Sequence, residues 1–330
     1  GGIAQINNSF NQNLMSETYL TFSRTFNENH SLTVMAGHSY NWDTGRGLYT
    51  TARGFVNDVL KNENMNAGNP NLRQIYNDGY YLSKLLSFYG RINYSLKDKY
   101  LLTATMRADG STKFGKNNKW GHFPSGAVSW KMHNEPWLKQ SRWLSELKLR
   151  LSYGASGNQG ISSYQTLDRY GMEKFWHNGE WATVIGPGYE VGRTGANDRY
   201  MVWGGIANPD LKWESTSQLD FGVDFAAFDR RLRLTADVYY KKTTDLLIEK
   251  NAALATGYEK GWANIGAVRN QGIEITLDAT PILTKKWNWT LNANIGFNRS
   301  KVLDIGPGDE MGFDPGVIPG SGNFVMIRKN

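Results

Sequence analysis

Residues 87–109 read SFYGRINYSLKDKYLLTATMRAD, and they alternate in character twice over. Phe88, Gly90, Ile92, Tyr94 and Leu96 fall on one face of an extended chain, with Tyr89, Arg91, Asn93 and Ser95 on the other. A pleated strand between two different environments has this period of two. After Lys97 and Asp98, which read as a tight turn, the pattern resumes. Tyr100, Leu102, Ala104 and Met106 share one face, and Thr103, Thr105, Arg107 and Asp109 share the opposite one.

The same signature recurs outward in both directions. Leu219, Phe221, Val223 and Phe225 alternate with Gln218, Asp220, Gly222 and Asp224, and beyond Asp229 and Arg230 a matching set runs from Leu232 to Tyr240. Ile273 to Ala279 and Trp287 to Phe297 make a further pair, and residues 14–26, 32–40 and 147–153 read as strands too. About ten strands are expected, most of them near the 9–11 residues needed to cross a bilayer at a tilt. Their connections differ by end. Short ones at 27–30, 97–98, 229–230 and 281–285 alternate with long ones at 41–81, 156–212 and 243–265, and Tyr and Trp gather near strand termini. Transmembrane β-barrels have short turns on one side, long loops on the other and aromatic girdles at both interfaces, whereas a soluble sandwich has no reason to sort loops by end. The expected fold class is therefore all-β, an antiparallel transmembrane β-barrel.

Composition agrees. Aromatic residues make up 13% of 330 residues while mean hydropathy is −0.53, and no apolar run approaches the ~18 residues of a membrane helix. Cysteine is absent, which removes disulfides, thiolate metal sites and Cys nucleophiles. The net charge of +7 is spread without a dense basic run interleaved with aromatics, so no nucleic-acid partner is expected. The glycines of 154–160, GASGNQG, lack the Gly-Lys-Ser/Thr ending of a phosphate loop and read as a strand end. None of the five histidines has metal-ligand spacing, and His30 and His133 fall in turns, where a solvated side chain is the default. Neither an enzyme, a cofactor nor a metal is expected.

Longer stretches carry a resemblance. Residues 87–132, the run WLSELKLRLSYGASGNQG at 143–160, NPDLKWESTSQLDFGVDF at 208–225, LTADVYYKKTTDLL at 234–247 and NIGAVRNQGIEITL at 264–277 all resemble the SusC/RagA family of TonB-dependent receptors. LTVMAGHSYNW at 32–42 and GFVND at 54–58 are similar as well. The resemblance implies a barrel of about 22 strands filled by a plug. It further implies the outer membrane of a Gram-negative bacterium, contact with phospholipid and lipopolysaccharide, energy from the TonB complex, and a SusD-like lipoprotein partner. The imported nutrient would be an oligosaccharide or oligopeptide. No signal peptide opens the chain, and residues 324–327 read as a strand starting just before the sequence stops. Residues 1–330 are thus expected to be an internal portion of the barrel, without plug or terminal strands.

Two groups of residues are candidates for function. Arg107, Asp109, Asp220 and Asp224 face the lumen if their apolar neighbours face lipid, as a polar wall along a transport path. In the long connection at 156–212, Tyr164, Trp176, Trp181 and Trp203 offer aromatic faces for sugar rings or peptide side chains. The same rings also suit packing of the loop itself or contact with the lipoprotein.

Overall fold

The computed structural model describes residues 2–57, 59, 62–177, 179–187, 205–252, 254–256, 258, 260–306, 310–313 and 325–328. Sixteen strands are present among them: β1 (Gly2–Phe26), β2 (His30–Phe55), β3 (Gln74–Leu96), β4 (Tyr100–Ser111), β5 (Trp120–Lys131), β6 (Leu144–Asn158), β7 (Tyr170–His177), β8 (Glu180–Pro187), β9 (Glu214–Ala227), β10 (Leu232–Thr244), β11 (Leu247–Asn251), β12 (Lys260–Asn264), β13 (Ala267–Leu283), β14 (Asn288–Asp304), β15 (Glu310–Phe313) and β16 (Val325–Arg328). Ten of them form one sheet in the order β1-β2-β3-β4-β5-β6-β9-β10-β13-β14, antiparallel throughout. The remaining six pair as separate hairpins, β7–β8, β11–β12 and β15–β16. This is one continuous antiparallel wall with hairpins attached.

Register explains why the wall has two faces. Tyr94, Leu102, Val128, Leu151, Phe221, Val238, Ile273 and Phe297 stand side by side across consecutive strands. All but Tyr94 are among the exposed large hydrophobics, with Phe221 at 47% and Phe297 at 62%. An apolar band that is exposed along its whole length is covered by lipid tails. Aromatic pairs bound it. His38, Phe88 and Trp120 stack at one level, while Tyr100 stacks on Trp130 and Trp143 packs on Phe225 at the other. Position 108, opposite Phe88, and Tyr100 lie roughly 26 Å apart along β4, about 20 Å of membrane height at the usual strand tilt of about 40°.

The short turns mark the periplasmic end. At 26–30, 96–100 and 228–231 the first carbonyl accepts from the N–H three residues on, from Asn29 to Phe26, Lys99 to Leu96 and Arg231 to Phe228. Both central residues of each turn have positive φ: Asn27 and Glu28, Lys97 and Asp98, Asp229 and Arg230. That is the type I′ geometry whose twist matches the flanking strands.

Several expectations change. The connection expected at 41–81 is mostly strand, because β2 runs to Phe55 and β3 starts at Gln74. Strand β1 likewise starts at Gly2 rather than 14. Above the membrane both faces of a strand meet water, so the apolar alternation stops while the backbone ladder continues. Strand β5 has no clear alternation, being interrupted by Gly121, Pro124 and Gly126. Pro124 is tolerated because pairing to β6 begins only at Ser125, so its missing N–H falls where β5 has no second neighbour. The last turn lies at 284–287, which takes Trp287 out of β14. His30 and His133 are not simply solvated: His30 Nδ1 lies 2.6 Å from Tyr94 Oη, and His133 Nδ1 accepts from the N–H of Leu147 at 3.3 Å. A strand is present at Val325–Arg328, paired with β15, while Phe324 lies outside the described residues.

One acid organises the periplasmic connection between β5 and β6. Glu135 accepts from Lys99 Nζ at 2.8 Å, Tyr100 Oη at 2.7 Å and Trp130 Nε1 at 3.1 Å. These bonds, led by Lys99, hold its carboxyl down to about 2 from an ordinary 4.5. The folded pKa lies below the unfolded one, so the stabilisation is complete above about pH 4.5 and drains away as pH falls toward 2. Replacing Glu135→Gln should therefore lower the melting temperature of the full-length barrel at pH 7, read by heat-modifiable gel mobility. The gap to wild type should close as pH falls through that window; a gap independent of pH would contradict this account.

Candidate functional site

The pleat that turns apolar side chains outward turns the intervening ones inward, and there the charges form built contacts. On β4, Arg107 Nε donates to both Asp109 oxygens at 2.8 and 2.9 Å, and its Nη2 donates to Ser87 Oγ at 2.9 Å. Ser87 and Asp109 are both buried. The guanidinium also lies 5.6 Å from the Tyr89 ring, whose hydroxyl donates to Glu17 at 2.7 Å.

A second cluster spans three strands. Arg150 on β6 donates to Asp224 on β9 through Nε at 2.9 Å and Nη2 at 3.0 Å, and its Nη2 lies 3.0 Å from Asp237 on β10. It reaches that far because the residue between, in register with both, is Gly222. A Cβ at 222 would stand 2.7 Å from Arg150 Cζ. Asp220, one step up the wall, accepts from Gln218 Nε2 at 2.7 Å and Ser152 Oγ at 3.2 Å. Beside it, small side chains at Ser125, Ala127, Ser152 and Gly154 leave a groove of about 400 Å³ bordered by Arg91, Asp220 and Lys241. The pleat puts Arg107, Asp109, Asp220 and Asp224 on the face opposite the exposed apolar band. It does not bring them together: the Arg107–Asp109 pair is separated from the Asp220–Asp224 set by β5 and β6. Asp237 and Gly222 complete the second cluster, and only the strand register reveals them.

At the extracellular end the loops fold on one another. Phe114 from the β4–β5 connection, and Ile161 and Leu211 from the two ends of the connection between β6 and β9, form a buried cluster with Trp213, Leu247 and Trp262 packed against it. Trp213 lies 5.0 Å from the Phe114 ring centre and 5.5 Å from that of Phe123 on β5, which ties this roof to the wall. Residues 208–213, NPDLKW, act as a strap. Asn208 donates to the Trp262 carbonyl at 2.9 Å, Asn118 to the Asp210 carbonyl at 3.0 Å, Trp213 to the Lys119 carbonyl at 2.9 Å, and Asn264 to the Lys212 carbonyl at 2.8 Å. Gly115 is required where the strap crosses, since a Cβ there would overlap the carbonyl oxygen of Pro209.

The loop aromatics are distributed around this roof. Tyr164 sits in a turn at φ 67 and is at the margin of exposure. Trp176 and Trp181 stand opposite each other in the register of the β7–β8 hairpin. Trp203 lies outside the described residues. The base of the excursion is pinned by a backbone bridge between Arg169 and Gly205 and by Asp168 accepting from the Ala207 N–H at 3.0 Å. Sequence reasoning missed the roof core; its one signal was Leu211 and Trp213 in NPDLKW, large apolar residues placed just before a strand instead of within it.

An apolar outer face, a charged opposite face, I′ turns at one end and interlocked loops at the other describe a transmembrane barrel wall, and residues 2–321 match the family model described as TonB dependent receptor-like, beta-barrel. The chain belongs to the TonB-dependent receptor β-barrel family. It is 35% identical to TonB-dependent receptor P3 of Formosa agariphila over 316 residues, 95% of this chain and 30% of that protein. It is 38% identical to TonB-dependent receptor SusC of Bacteroides thetaiotaomicron over 228 residues, 68% of this chain and 21% of that protein. Among solved structures, that of the RagAB peptide transporter matches with a TM-score of 0.78 at 26% identity, over 98% of this chain and 33% of that one. The outer membrane transporter YddB from Escherichia coli, at 14% identity and TM-score 0.55, shares the fold over 89% of this chain and 34% of that one. The SusC/RagA resemblance is borne out, and the wall is that of an outer-membrane barrel. The chain spans about a third or less of the length of these relatives.

The strap yields a test of the TonB-dependent receptor's roof. Gly115→Ala should leave the barrel's heat-modifiable mobility intact yet open the loops. On intact cells, added protease should then cut within 112–119 or 205–213 at least about tenfold faster than in wild type. Equal cleavage rates would mean that the strap does not hold the roof.

Proposed function

We propose that the full-length protein actively imports a large polar nutrient, an oligosaccharide or oligopeptide, across the outer membrane. In this reading residues 1–330 are an internal portion of its barrel, and the rest of the protein supplies a plug, the strands that close the sheet and the segment that draws energy from the TonB complex. A SusD-like lipoprotein covers the extracellular mouth. The observation that carries the reading is the inner face: across the ten strands it is polar and held in fixed contacts by Arg107 and Arg150, as the wall of an aqueous path requires. The similarity to SusC and to RagAB, the latter described as a peptide transporter, supports the same reading. The work is binding and gating, and no covalent step is assigned to any residue.

In this scheme Trp176 and Trp181, opposed on the β7–β8 hairpin, provide stacking faces for the arriving nutrient, with Tyr164 and Trp203 on the same excursion. Trp176→Ala with Trp181→Ala should weaken ligand binding to the purified receptor at least about tenfold, as titration calorimetry would record. Undiminished affinity in a folded barrel would remove both residues from the site.

The inner wall is tested separately. Asp224→Lys places a cation against Arg150 and Lys148, and we expect uptake by whole cells to fall several-fold with receptor abundance unchanged. Uptake by the wild type should also stop when the proton gradient is collapsed. Import that persists without the gradient would favour a passive porin.

A further inference from the structure

The periplasmic rim carries more positive charge than its size explains. The short connections 27–29, 97–99, 132–143, 228–231 and 284–287 hold eight Lys and Arg against four Asp and Glu. The extracellular connections 56–73, 112–119, 159–213 and 245–266, about four times as long in total, hold twelve against eleven. Part of the rim charge is spent: Lys99 pairs with Glu135, and Lys131 with Asp98. Among the described residues, Lys97, Lys139, Arg142, Lys285 and Lys286 have no carboxylate within ion-pairing distance.

The connection 132–143 differs from the other periplasmic turns in length and in what it presents. Lys139 and Arg142 are exposed beside Trp137 at 64% and Trp143 at 53% exposure. Its backbone is ordered by Glu135, whose carbonyl accepts from Leu138 at 3.0 Å and Lys139 at 2.8 Å. An ordered turn that exposes indoles next to unpaired cations suits the boundary between headgroups and acyl chains. Directly above it on the outer face runs an apolar groove of about 430 Å³ lined by Tyr94, Leu102, Val128, Trp130, Leu151 and Phe221. Trp130, in the groove wall, is hydrogen-bonded to Glu135 at the base of the turn.

We propose that this turn and groove form a binding site for one anionic phospholipid of the periplasmic leaflet, its phosphate on Lys139 and Arg142 and an acyl chain along the Val128–Phe221 groove. Charge selects the headgroup, since the cations lack protein partners while zwitterionic lipids offer no net attraction. The inference rests on the membrane placement of the wall and is independent of what the receptor imports.

The test uses the full-length receptor in mild detergent, titrated with palmitoyl-oleoyl phosphatidylglycerol or with the phosphatidylcholine of the same chains, bound lipid being counted by native mass spectrometry. Wild type should retain phosphatidylglycerol preferentially. Each cation near an anionic lipid surface is worth about fivefold in affinity, so Lys139→Gln with Arg142→Gln should cut phosphatidylglycerol binding about 25-fold and leave phosphatidylcholine unchanged. Lys116→Gln with Lys119→Gln, on the extracellular side, should change neither lipid. Heat-modifiable mobility confirms that each variant is folded. Equal retention of the two lipids by wild type would overturn the proposal and leave the cationic rim to a periplasmic protein surface. Undiminished phosphatidylglycerol binding by the rim variant, or its loss in the extracellular one, would overturn it as well.

Discussion

No water reaches the hydrocarbon layer, so every backbone N–H and C=O within it must find its partner in the protein. A sheet meets that demand only if each strand is paired on both sides, and the eight inner strands of the wall are so paired, from β2 to β13. Most of what else the chain displays follows from this. Pairing fixes register, register with the pleat fixes two faces, and lipid fixes the chemistry of the outer one. A Lys or Arg on that face at mid-membrane costs about 2–4 kcal/mol, which is why the row from Leu102 to Phe297 contains none.

The inner face obeys weaker rules. Arg150 and its partners are each about a quarter to a third exposed, so screening reduces the pairs to about 1 kcal/mol or less each. Such contacts do little for stability, but they decide geometry. Neighbouring strands lie about 4.8 Å apart, and a side chain on β6 touches β10 only if β9 presents nothing between them. Gly222 meets that condition, and with it one guanidinium sets the orientation of two carboxylates on different strands. The wall therefore presents oriented, paired charges instead of loose ones.

What the sequence made legible, and what it did not, divides at the membrane surface. Between Phe88 and Met106, or Leu219 and Tyr240, lipid on one side and water on the other write a period of two into the residue types, and strands and faces follow directly. Above the membrane, Gln5 to Asn13 and Asp43 to Thr51 have no lipid-facing side, so β1 and β2 continue there without a hydropathic trace. The placement of Arg107, Asp109, Asp220 and Asp224 on the face opposite the apolar band came from the same alternation. The grouping of Arg150 with Asp224 and Asp237 did not, because it depends on which residues of three strands share a register. The roof core was illegible for another reason: Phe114, Ile161, Leu211 and Trp262 are far apart in sequence and lie in connections with no periodicity to read.

The roof has a consequence for how binding varies among such receptors. Its core is built from the roots of the loops, and the strap at 208–213 hydrogen-bonds to the connections on either side of it. Strands β7 and β8 extend from that base, and the core cluster among the described residues is built from other segments. A change at Gly115 displaces the strap, whereas one at Trp213 bears on Phe123 and so on the wall. In the import scheme proposed above, this separation would place selectivity for the solute on the outermost strands and leave the polar face beneath them common to many solutes.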